Sequence, residues 1–108
     1  MTAIWYEQYS KGVPHFIDEK RFESLQGLFD YSVNRYRHLP AFSNMGVTID
    51  YQKLDDLSDV FAAYLQLDCG VKKGDRVGIM LPNVLQYPVI LFAAFKVGAV
   101  VVNINPLY

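Results

Sequence analysis

Asp55, Asp56 and Asp59 are the densest group of chemically capable side chains in this sequence. Asp55 and Asp59 lie four residues apart, which on a helix puts both carboxylates on one face, close enough to share a cation. The plainer reading, preferred here, is a solvated acidic first turn that complements the positive end of a helix. The other reactive side chains stand alone. Cys69 is the single cysteine, which excludes an internal disulfide and a cysteine-based zinc site. No CxxC or basic cluster surrounds it, so it reads as a small residue near a helix end. His15 and His38 have no partner at ligand or triad spacing and are assigned surface or packing roles. Lys72-Lys73 is too short a run for a phosphate or membrane patch. There is no GxGxxG, no phosphate-cradling loop ending in Gly-Lys-Ser/Thr, and no Ser-His-Asp or Cys-His set. Residue chemistry therefore yields no catalytic residue, no cofactor-binding residue and no metal ligand.

What the chain offers instead is scaffold. Its 108 residues suffice for one small domain or a piece of a larger one. A composition 52% hydrophobic and 15% aromatic argues against disorder. Ten basic against eleven acidic side chains leave no basic excess to meet a nucleic acid, so no nucleic-acid partner is expected. The organising stretch is a βαβ unit over 75–105. Arg76 to Leu81 and Ala99 to Ile104 read as strands bounded by Gly74, Pro82, Gly98 and Pro106. Between them Tyr87, Ile90, Leu91, Ala94 and Gly98 recur at helical spacing, while Val89, Phe92 and Ala93 make the opposite side apolar too. Such a helix needs cover on most sides, and it supplies the crossover that parallel strands require. Both strands and their helix are expected to be buried. Asn83 is the expected helix cap, with Gln86 answering back as in a capping box, and Pro88 implies a late start or a bend. The apolar run from Tyr87 to Val102 is too short to span a membrane and carries Lys96.

The flanks fill in the layers. Met1 to Phe22 is aromatic and interrupted by Gly12 and Pro14, hence an extended arm. Trp5, Tyr6 and Phe16 are expected to dock on an apolar surface, the alternative being an interfacial lipid anchor. No secretory signal is expected here, since Met1 to Gly12 lacks an apolar core. Ser24 caps an amphipathic helix to Tyr36 with Leu25, Leu28, Phe29, Ser32, Val33 and Tyr36 on one face, ended by Leu39-Pro40. Ala41 to Ser43 and Val47 to Ile49 form a hairpin about a three-residue Asn44-Met45-Gly46 connection. Asp50 caps the next helix, which runs to about Asp68. Leu54, Leu57, Phe61, Ala62 and Leu65 form its buried stripe, Lys53, Asp56, Asp59 and Gln66 face solvent, and Gly70 is its left-handed stop. The division expected is an arm over 1–22 and an α/β portion over 23–108. Val100 to Ile104 is so apolar that it calls for cover on both faces and a neighbour on each edge. The chain is thus expected to be part of a larger protein and to self-associate when isolated.

Several stretches in order resemble the adenylate-forming superfamily: Asp50-Tyr51-Gln52-Lys53-Leu54, Val71-Lys72-Lys73-Gly74-Asp75-Arg76-Val77 followed by Pro82-Asn83, and Lys96-Val97-Gly98-Ala99 leading to Pro106. Others are similar, more narrowly, to bacterial long-chain fatty-acid–CoA ligases: Trp5-Tyr6-Glu7-Gln8-Tyr9, Gly12-Val13-Pro14, Leu85-Gln86-Tyr87-Pro88 and Val102-Asn103-Ile104-Asn105-Pro106-Leu107-Tyr108. The departure is Lys53, where the family usually has a Glu that completes a capping box; Asp50 keeps half of it. The resemblance implies an incomplete portion of the large, layered α/β N-terminal domain of such an enzyme. It implies a parent that uses ATP and Mg²⁺ to convert a long-chain fatty acid to an acyl-adenylate, then passes the acyl group to coenzyme A. It also implies a cytoplasmic location, with peripheral contact at the inner face of the membrane. The family's phosphate loop, nucleotide motifs and C-terminal lysine have no counterpart here. This stretch alone is therefore expected to be inactive and to bind none of these cofactors, and neither Asn105 nor Tyr108 is assigned to an acyl tunnel. The alternative is an autonomous binding or oligomerisation module acting through its aromatic arm.

Overall fold

A computed structural model of the chain describes residues 3–107. Met1, Thr2 and Tyr108, at the ends of the arm and of the last resembling stretch, lie outside the described residues. The elements, in order, are a single 3₁₀ turn at Ile4–Gln8, helix α1 (Leu25–Tyr36), strands β1 (Pro40–Asn44) and β2 (Val47–Asp50), helix α2 (Tyr51–Leu67), strand β3 (Arg76–Ile79), helix α3 (Gln86–Lys96) and strand β4 (Val100–Asn103).

The caps of α1 and α2 form as their residue types dictate. The Ser24 hydroxyl accepts from the Gly27 amide at 3.0 Å, and the Asp50 carboxylate accepts from the Lys53 amide at 2.7 Å. Gly70 ends α2 in the left-handed region at φ 68°, a conformation that a Cβ would strain. The hairpin pairs antiparallel with Asn44 opposite Val47, so its connection is two residues, Met45 and Gly46, not three. Both have positive φ, 50° and 80°, the signature of a type I′ turn whose twist matches that of the strands. Met45 is 93% exposed and gains no packing in return for its left-handed backbone. Met45→Asn is therefore expected to raise stability by about 1 kcal/mol, read as a higher urea midpoint at unchanged slope.

β3 and β4 pair in parallel, Arg76 opposite Val100 through Ile79 opposite Asn103, with α3 as the crossover. Two expectations for this unit fail. Asn83 does not cap α3: the chain already turns at Val84, whose carbonyl accepts from the Tyr87 amide at 3.1 Å, and the helix begins behind Leu85 with no side-chain cap. Pro88 thus falls in the first turn, where its missing amide is not needed. The strands are also not buried on both sides. Val77, Ile79 and Val101 face the helices, while Val100, Val102 and Ile104 are exposed, because a two-stranded sheet has only one covered face here.

Two apolar clusters hold the layers. One joins Ala62 and Leu65 of α2 to Ala93 and Ala94 of α3, with Val97 and Ala99 beyond. The other joins Phe29 and Val33 of α1 to Leu54 of α2, with Phe92 stacked on Phe29 at 4.1 Å. The buried stripe of α2 is Leu54, Ser58, Ala62 and Leu65; Leu57, expected inside, is exposed. Ser58 is tolerated because its hydroxyl donates to the Asp55 carbonyl at 2.9 Å.

Trp5 (61% exposed) and Phe16 (78%) do not dock on the helices. The chain turns back after Ser10, whose carbonyl accepts from the Val13 amide, and this lays His15 on Tyr6 with centroids 4.0 Å apart. Trp5, Tyr9 and Phe16 meet Tyr6 edge-on, so the rings pack on one another. Phe22 is where the segment reaches α1, 5.3 Å from Tyr31, with Arg21 over both rings.

Candidate functional site

The carboxylates Asp55 and Asp59 do share a cation, but it is an ammonium. Lys96 Nζ lies 2.6 Å from Asp55 Oδ1, 2.6 Å from Asp59 Oδ1 and 3.2 Å from the Asp55 carbonyl, with the Phe29 ring 5.3 Å away. These carboxylates do not form a solvated first turn. α2 begins at Tyr51, so Asp55 lies beyond that turn, half-buried against α3. The Lys96 side chain is only 13% exposed. Burial works against its charge, yet the hydrogen bonds it donates to Asp55 and Asp59 and their negative charge outweigh it and hold Lys96 above the ordinary lysine range. The cluster clamps α2 to α3, with the charge of the two carboxylates shared by the ammonium. Among the described residues no group of three or more His, Cys, Asp or Glu side chains is placed to hold an ion. A lone lysine inside an otherwise apolar helix was the sequence signal for this pairing, since a buried ammonium demands an acceptor.

The remaining reactive side chains stay apart. Cys69 is exposed just past the α2 C-cap. His15 is engaged in the ring stack, and His38 is exposed beyond α1. Asp56 accepts from Gln52 at 2.8 Å, and Gln52 in turn accepts from Arg37, tying α2 to the end of α1. No described helix is long and apolar enough to cross a membrane.

Polar groups do converge at the carboxyl ends of β3 and β4. The Tyr87 hydroxyl, on the first turn of α3, donates to Asn103 Oδ1 at the last residue of β4. Nearby the Asn44 side-chain amide donates to the Asn83 carbonyl at 3.1 Å, joining the hairpin to the β3–α3 connection. Phe42, Asn44, Asn83, Leu85, Tyr87 and Pro88 line an open cleft of about 250 Å³ there. A second groove, of about 410 Å³, runs between α2 and α3 and is apolar, lined by Ile49, Leu57, Phe61, Val89 and Ile90 among others. Neither holds a nucleophile paired with a base.

A parallel βαβ unit clamped to a helix and a hairpin is an architecture found within the N-terminal subdomain of adenylation enzymes, of which this chain matches about a fifth. The Klebsiella oxytoca NpsA N-terminal subdomain superimposes with a TM-score of 0.75 at 28% identity, over 79% of this chain and 22% of that one. A Mycobacterium tuberculosis fatty acyl CoA synthetase does so with a TM-score of 0.70 at 27% identity, over 77% of this chain and 17% of that one. The AMP-binding enzyme family model matches residues 29–108, and the chain belongs to that family. The long-chain-fatty-acid–CoA ligase of Escherichia coli O6:H1 is 50% identical over all 108 residues. The chain spans 19% of that relative's length.

Proposed function

We infer that this chain is a scaffold portion of a long-chain fatty-acid–CoA ligase. The observation that carries the reading is the 50% identity to such a ligase along all 108 residues, arm included. In the reaction so assigned, a fatty-acid carboxylate attacks the α-phosphorus of ATP and displaces pyrophosphate. The thiol of coenzyme A then attacks the acyl carbonyl and displaces AMP. Mg²⁺ would offset the phosphate charge, but the described residues do not fit it, since no three His, Cys, Asp or Glu side chains among them come together to hold an ion. What these residues do supply is a rigid layer. Lys96 fixes α2 against α3, and α3 in turn packs on the parallel strands β3 and β4.

The same reading carries a cytoplasmic enzyme. The exposed Trp5, Phe16 and Ile17 of the arm offer apolar area for peripheral contact with the inner face of the membrane. Isolated from the rest, the chain self-associates through the exposed Val100, Val102 and Ile104 face. The test of the ligase assignment is acyl-CoA formation by the full-length protein that carries this chain. ATP-dependent conversion of oleate is expected, and failure to convert any long-chain fatty acid overturns it.

A further inference from the structure

We propose that Asn103 is a substrate-facing hydrogen-bond donor of the ligase, and that Tyr87 is the positioning residue that aims it at a nucleotide phosphate oxygen. The inference rests on the ligase reading and adds residues to it. Ligands of parallel α/β sheets bind outside the carboxyl ends of the strands, and Asn103 is the last residue of β4, in register with Ile79 at the end of β3. Its side-chain carbonyl is taken by the Tyr87 hydroxyl. An amide is planar, so fixing the oxygen toward α3 turns the two N–H donors of Asn103 away from it. No hydrogen bond among the described residues uses those donors. Tyr87 is itself set by α3, whose first turn it occupies beside Pro88 at the rim of the 250 Å³ cleft. Neutral donors on an exposed strand end suit a charged oxygen acceptor, and both nucleotide substrates of the reaction, ATP and coenzyme A, carry phosphate oxygens.

The experiment uses the full-length enzyme and reads the KM for ATP, the KM for coenzyme A, kcat and the melting temperature. Asn103→Asp keeps the size and the acceptor for Tyr87 but replaces the donors with a carboxylate. It is expected to raise the KM for one nucleotide about ten-fold or more with the melting temperature unchanged, and which nucleotide responds identifies the ligand. Tyr87→Phe is expected to raise the same KM by a smaller factor. Unchanged KM values for both nucleotides in Asn103→Asp overturn the inference, as does a fall in melting temperature and kcat with both KM values intact. A wild-type enzyme without ligase activity overturns the ligase reading itself, and this inference with it.

Discussion

Leu54→Ala is expected to lower the unfolding free energy of this chain by about 2–5 kcal/mol. Leu54 is 0% exposed and sits where the three helices meet, against Phe29 and Val33 of α1 with Phe92 of α3 packed on the same cluster. Removing three carbon centres there forfeits transfer free energy and leaves a void that stiff neighbours cannot fill. The loss is a large share of the roughly 5–15 kcal/mol that folded domains possess, and the buried core among the described residues is ten hydrophobic side chains, four of them alanine. Urea unfolding followed by circular dichroism reads it as a much lower midpoint. Leu67→Ala, at a position 82% exposed near the end of the same helix, is the control, and its midpoint should move by less than about 0.5 kcal/mol. Equal effects at both positions would show that the core has been misplaced.

Lys96→Met is the second. It retains the apolar stem and removes the ammonium, leaving half-buried Asp55 without its cation. The expected loss is about 1–3 kcal/mol, below that of a fully buried pair because Asp55 and Asp59 are partly solvated. Asp59→Ala should cost less than about 1 kcal/mol, since that carboxylate is 62% exposed and Asp55 still holds the lysine. The pH dependence has a definite sign. Because folding raises the Lys96 pKa, its contribution is complete below the unfolded lysine value and is lost as pH rises through the higher folded value. The stability difference between wild type and Lys96→Met should thus hold steady through neutral pH and shrink above the ordinary lysine range. Measuring the difference removes the tyrosines, which titrate in the same region in both proteins.

How much of this was legible follows from which forces are local. Ser24 and Asp50 as caps, Gly70 as a stop and the strand–helix–strand order of residues 76–103 depend on neighbours within a few positions, and all formed as read. Asn83 carries the same kind of signal but does not cap, because the turn at Val84 places the helix cap at Leu85, two residues further on. Ser58 escaped because a hydroxyl on an apolar stripe looks like an interruption until it is seen bonded to its own helix. Lys96 escaped because its partners lie 37 and 41 residues away, a distance that periodicity cannot bridge. The Tyr87–Asn103 bond, 16 residues apart, needed the parallel register to bring the two together. Membership in the AMP-binding family was legible only from many short stretches taken in order, since none of them carries chemistry alone.

We propose that these residues form a scaffold for a reaction whose reactive groups lie elsewhere in the enzyme. Pyrophosphate release from ATP and oleate, measured side by side for the 108-residue chain and for the full-length protein, tests it most directly. Release by the full-length protein is expected, with none above the blank from the chain alone. Steady turnover by the isolated chain would contradict it.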